Sequence, residues 1–99
     1  MLNITKNTNA SELTVSLTGR LDTVTAPELE KELKASLDGV SALTIDMAAL
    51  EYISSAGLRV LLSAQKTMNK QGEMKVVRVG DTIMEIFEVT GFSDILTIE

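Results

Sequence analysis

The sequence predicts an α/β fold: a mostly parallel or mixed sheet with its helices gathered in one layer over one face. Three observations carry this. Apolar residues alternate at the start of the chain, a helix-start signal followed by leucines at four-residue spacing comes next, and strand-like and helix-like segments then alternate in the order ββαβαβαβ. Parallel neighbours need helical crossovers, whereas the opening pair can be joined directly as a hairpin. With 99 residues there is room for one core, so residues 1–99 are expected to form a single domain.

The opening pair is read from Leu2 and Ile4, then from Leu13, Val15 and Leu17, which alternate with polar residues up to Gly19; the connection runs through Asn7 to Ser11. Thr25-Ala26-Pro27-Glu28 marks a helix start, with Thr25 as the expected cap and Pro inside the first turn. Leu29, Leu33 and Leu37 then form one apolar stripe, and Gly39 can end the helix in a left-handed turn. Leu43 to Met47 reads as a central strand buried on both faces, broken only by Asp46. Leu58 to Lys70 is helical and closes near Gly72, Met74 to Val79 is a strand, and Asp81 is expected to cap a helix whose Ile83, Ile86 and Phe87 share a face. Ile95 to Ile98 is expected to be a last short strand.

Composition removes several function classes. Fourteen acidic residues against nine basic ones give a net charge of −5, the wrong sign for a phosphate backbone, and with two Phe, one Tyr and no Trp there is little to stack on bases; nucleic acid is not expected as a partner. The chain has no His, which excludes a Ser-His-Asp triad and imidazole metal sites, and no Cys, which excludes a disulfide framework. No apolar run approaches the ~20 residues of a membrane span, and the start lacks the layout of a signal peptide. A cytoplasmic protein with no membrane insertion, no metal and no cofactor is the expectation.

The chemistry concentrates in Ile53-Ser54-Ser55-Ala56-Gly57-Leu58-Arg59, two hydroxyls and a glycine at a strand-to-helix junction. A serine there can simply cap the helix. The same amides and the positive end of the helix dipole would also stabilise a phosphoryl group added to it. Along the following helix, Arg59, Ser63, Lys66 and Lys70 share one narrow face. Leu58, Val60, Leu61, Leu62, Ala64 and Met68 occupy an arc of roughly 200°, wider than one sheet contact requires. Either neighbouring helices cover that arc, or part of it stays exposed as a docking surface. Asp46 is expected to end its strand and to brace the junction by accepting amide hydrogen bonds.

These residues resemble the STAS family, in particular the bacterial anti-sigma factor antagonists. The likeness runs along essentially the whole chain, through Gly19-Arg20-Leu21-Asp22 and Thr25-Ala26-Pro27 and most closely through Ile53-Ser54-Ser55-Ala56-Gly57-Leu58. The resemblance implies a four- to five-stranded sheet with helices on one side, and Ser55 as the phosphoacceptor, with Ser54 as the alternative. It implies a partner-binding surface of Ser54, Ala56, Gly57, Leu58, Arg59 and Leu62, and places Asp22 on a supporting loop near Ser55. Ser54 stands where the family usually has Asp, and Arg59 where many relatives have Gly.

The function implied is a partner switch in transcription regulation. The unmodified antagonist binds an anti-sigma factor that is also a serine kinase and so frees the sigma factor; phosphorylation releases the antagonist, and a serine phosphatase resets it. The alternative is a constitutive STAS binding module in a transporter-associated or other signalling complex, with Ser54-Ser55 as a plain cap. An enzymatic reading, Ser55 activated by Lys66 or Lys70, lacks a locally evident base, and no P-loop is present for nucleotide.

Overall fold

The structure, a computed structural model, describes residues 2–99. Its order is β1 (Leu2–Asn9), β2 (Glu12–Leu21), α1 (Ala26–Ser36), β3 (Ala42–Ile53), α2 (Ser55–Gln71), β4 (Glu73–Val77), α3 (Asp81–Thr90) and a 3₁₀ turn at Phe92–Asp94. The strands lie in the sheet order β1-β2-β3-β4, with β1 antiparallel to β2 and the remaining pairs parallel. Both crossovers move the same way across the sheet, so right-handed connections bring α1 and α2 to the same face.

Burial alternates accordingly. Leu13, Val15 and Leu17 of β2, Leu43, Ile45 and Met47 of β3, and Met74 and Val76 of β4 are buried under the helices, joined by Leu29 and Leu33 of α1, Leu61 and Met68 of α2, and Ile83 and Phe87 of α3. Thr14, Ser16, Thr44 and Lys75 lie on the other face and keep contact with solvent. The central strand is therefore buried on one face, and the expectation of two covered faces is corrected: a single helical layer leaves the polar half of the alternation uncovered.

β3 is also longer than its apolar run. Its register against β2 shifts twice, between Ser16 and Thr18 and between Gly19 and Arg20. Each extra residue turns the side-chain alternation over, which returns Leu50 and then Ile53 to the core although the sequence between them does not alternate.

Four further expectations are corrected. The hairpin turn is confined to Ala10 and Ser11, because β1 and β2 pair without a break from Leu2–Gly19 to Asn9–Glu12. Asp81 lies inside the first turn of α3, and Gly80 holds the cap position. The last strand shrinks to one bridge between Val76 and Ile98, because Gly91 in the left-handed region (φ 83°) turns the chain into the 3₁₀ segment just before it. The helix α1 ends earlier than expected, at Ser36 with Leu37 as a right-handed cap, and the left-handed Gly39 (φ 80°) belongs to the turn Leu37 to Val40 that follows. No helix among the described residues is long and apolar enough to cross a membrane.

Candidate functional site

The ends of β2 and β3 bring two loops together. Leu21 pairs with Ile53, and the Leu21 carbonyl accepts the Ser54 amide at 2.9 Å, so the turn Asp22 to Thr25 lies beside the start of α2. Thr23, Ala26 and Pro27 share a shallow groove with Ala56, Arg59 and Val60. Asp22 thus follows directly on the residue whose carbonyl holds the Ser54 amide.

Ser54 is the cap of α2: its backbone is extended and its Oγ accepts the Gly57 amide at 3.4 Å, a long bond. Ser54 is half-buried, whereas Ser55, the first helical residue, is exposed. Gly57 is buried where the helix lies closest to the sheet. A Cβ there would meet Leu21 Cγ at 2.7 Å and Ile53 Cγ1 at 2.9 Å, so the glycine sets how near the first turn of α2 sits to both strand ends.

Most of the broad apolar arc of α2 is covered. Leu58, Val60, Leu61, Ala64 and Met68 are all buried, and Leu62 alone remains half-buried. Gly57 and Leu58, expected in the partner surface, face the core, because β2, β3 and the neighbouring helices fill that side; they support the surface from beneath. Ser54, Ala56 and Leu62 are partly open, and Ser55 and Arg59 are fully on the surface, with Val24 at 80% exposure on the adjoining loop.

The two expected supporting carboxylates do different things. Asp22 Oδ1 accepts the Val24 and Thr25 amides, both at 3.0 Å, and the Thr25 hydroxyl accepts the Asp22 amide at 2.8 Å. That hydroxyl lies 2.9 Å from the Arg20 carbonyl and 3.1 Å from Asp22 Oδ1. The Thr25 amide, with weaker help from its hydroxyl, the Val24 amide and Arg20, holds the Asp22 carboxyl below the ordinary value against partial burial. Thr25 is therefore not the side-chain cap predicted for α1; its hydroxyl is used by the Asp22 turn instead. Asp46 does not brace the junction. It sits mid-strand, where Oδ1 accepts the Ala48 amide at 3.0 Å across the first register shift and the carboxylate pairs with both Nε and Nη2 of Arg78. The correction follows from β3 running on to Ile53. Arg78 keeps the Asp46 carboxyl below its usual range, with the Ala48 amide helping and burial opposing.

Arg78, Tyr52 and Arg20 were not singled out in the sequence. Arg78 follows β4 at φ 54° and ties that strand's end to β3. The Arg20 guanidinium lies 4.4 Å from the centroid of the Tyr52 ring, its register partner, and 3.9 Å from Asp22. Only the strand register, shifted by two irregularities, juxtaposes them.

Chemically, the junction offers an exposed serine at a helix start. Lys66 and Lys70 lie about 16 and 22 Å further along the helix axis at 1.5 Å per residue, out of reach of Ser55. Among the described residues no group of three or more Cys, Asp or Glu side chains is placed to hold a metal.

A profile described as the STAS domain matches residues 2–99. BtrV of Bordetella bronchiseptica, whose name marks it as a candidate anti-sigma factor antagonist, is 38% identical over 88 residues, covering 87% of this chain and 76% of its own. An anti-sigma factor antagonist from Mycobacterium paratuberculosis superposes with a TM-score of 0.89 at 28% identity, covering 99% of this chain and 85% of its own. The Bacillus cell fate determinant SpoIIAA in its phosphorylated form shares the fold, with a TM-score of 0.77 at 13% identity over 98% of this chain and 91% of its own.

Proposed function

The chain belongs to the STAS domain family, and from that premise we propose that it is an anti-sigma factor antagonist, a cytoplasmic binding protein and not an enzyme, switched by phosphorylation of Ser55. Unmodified, it binds an anti-sigma factor with serine kinase activity and frees the sigma factor; phosphorylation ends the binding and a serine phosphatase restores it. The observation that carries this reading is the division of labour between the two serines. Ser54 is half-buried and occupied as the cap, while Ser55 is exposed as the first residue of α2.

A phosphoserine carries about −1.5 to −2 charges and a firm hydration shell, and a partner seated on Ser55 must strip that shell away. A differential of about 2–3 kcal/mol shifts affinity roughly 30- to 150-fold. Incubation with the anti-sigma factor kinase and ATP, read by mass spectrometry, is expected to add one phosphate to the parent and to Ser54→Ala, and none to Ser55→Ala. Equal phosphorylation of Ser55→Ala and the parent overturns the assignment. The capping role of Ser54 also suits a constitutive STAS module; recovery of membrane-transport subunits and no anti-sigma factor from the source cell would select that reading instead.

A further inference from the structure

Charge on this molecule is sorted by helix. The sequence of α2 contains no acidic residue, whereas α3 carries Asp81, Glu85 and Glu88 and no cation. Arg59, Lys66 and Lys70 lie within roughly 40° of one another around the α2 axis, with Ser55 at the head of the same stripe. All are exposed. Elsewhere Lys6, Arg20, Lys34, Lys75 and Arg78 have carboxylate partners within 4 Å. Among the described residues Arg59, Lys66 and Lys70 have none; Lys31 on α1 has none either, but stands alone.

Two features separate this from an ordinary solvated face. Lys66 and Lys70 are like charges at i,i+4, a pairing that disfavours a helix unless an outside countercharge is supplied. The flanking exposed positions of α2 are Ser63, Thr67 and Asn69, where α1 places Glu30 to pair with Lys34 at 3.7 Å. In the groove that Arg59 lines, the carboxylate is that same Glu30.

We propose that Arg59, Lys66 and Lys70 form a docking stripe for an acidic face of a protein partner, and that phosphate on Ser55 disables it by pairing with Arg59 one turn on. This rests on the phosphorylation reading of Ser55 above and adds how the partner is held and released. An acidic protein surface is the occupant that charge complementarity selects, since a chain of net charge −5 repels nucleic acid at long range. The covalent step is balanced by the kinase's nucleoside triphosphate. The Ser55 Oγ–P bond forms as the bond from the γ-phosphorus to the departing nucleoside diphosphate breaks, and the hydroxyl proton passes to solvent or a kinase base. The phosphate then lies N-terminal to Arg59 at i,i+4, the favourable order along a helix. The stripe falls from three positive charges to about one, with an anion at its head.

Three measurements test this. In the phosphoprotein, ³¹P NMR titration is expected to show the second phosphate ionisation below that of a free phosphoserine, rising by several tenths of a unit in Arg59→Ala; identical midpoints overturn the pairing. For the unmodified protein, association with the anti-sigma factor is followed by stopped flow at about 20 to 300 mM salt. Lys66→Glu and Lys70→Glu are each expected to slow association about three- to tenfold at low salt and to flatten its salt dependence, while Lys31→Glu on α1 leaves both unchanged. Tight binding indifferent to the α2 reversals overturns the stripe and leaves the phosphorylation switch standing; no binding by the parent removes both. Cosedimentation of the parent with phosphatidylserine vesicles, lost in Lys66→Glu, would reassign the stripe to a membrane and overturn the protein partner.

Discussion

The helices α1 and α2 leave parallel strands at the same end of the sheet and differ in how firmly each is begun. The turn into α1 is fixed by Asp22 and Thr25 through hydrogen bonds at 2.8 to 3.0 Å, and three of its five charged residues are matched within the chain, Lys34 to Glu30 and Glu32 to Lys6. The turn into α2 has one side-chain bond, at 3.4 Å, and a row of unmatched cations. The first helix is tied inward, whereas the second is held from beneath by Gly57 and Leu58 and leaves its start and outer face for other contacts. A helix tied inward and a helix left open thus sit side by side, and their expected responses to mutation differ.

The sharpest contrast is at Gly57. A valine there drives its side chain into Leu21 and Ile53, and the first turn of α2 must lift from the sheet. A loss of about 2–3 kcal/mol is expected from such overpacking, measured by urea denaturation. Unchanged stability would show that the close approach is not needed. Glu28 and Lys31 of α1 are exposed, so Val substitution at either should be far milder.

Asp22→Asn comes next and acts on the other helix. Its carboxyl is held below the ordinary value in the native state, so it stabilises the fold above the unfolded carboxyl pKa, and that contribution is lost as pH falls through the lower native value. Asp46 and Glu32 behave the same way, each through its cation: Arg78 for Asp46 and Lys6 for Glu32. Parent stability should therefore fall as the pH drops below about 5, and the Asn variant should start lower and fall less steeply. Parallel curves from pH 7 to pH 2 would remove Asp22 from the acid response.

Sequence legibility divides along the same line. The stripe of α1 is read from Leu29 and Leu33, and the junction from Ser54-Ser55-Ala56-Gly57, because helix periodicity and local turn chemistry are encoded within a few residues. Asp46 was misplaced because two register shifts extend β3 past its alternating segment, and nothing local in Ala48 to Tyr52 announces them. The partners of Arg20 and Arg78 depend on that same register. The last strand failed for a different reason: Ile95 to Ile98 is apolar enough for a strand, but the 3₁₀ segment after Gly91 keeps Ile95 in a helical backbone, and only Ile98 bridges β4.

The smallest expected effects on stability fall at the two serines, and they separate a cap from a switch. Ser54→Ala removes a long hydrogen bond to Gly57 and should cost about 0.5–1 kcal/mol, at the low end for an N-cap. Ser55→Ala touches no interior contact and should change stability by less than about 0.5 kcal/mol while removing phosphorylation. The two free energies are close, so the contrast must be read as a pair, with denaturation on one axis and phosphate incorporation on the other. A destabilised, unmodifiable Ser55→Ala would mean that the hydroxyl has a structural task. A stable, unmodifiable Ser54→Ala would exchange the roles of the two residues and make the more buried serine the acceptor.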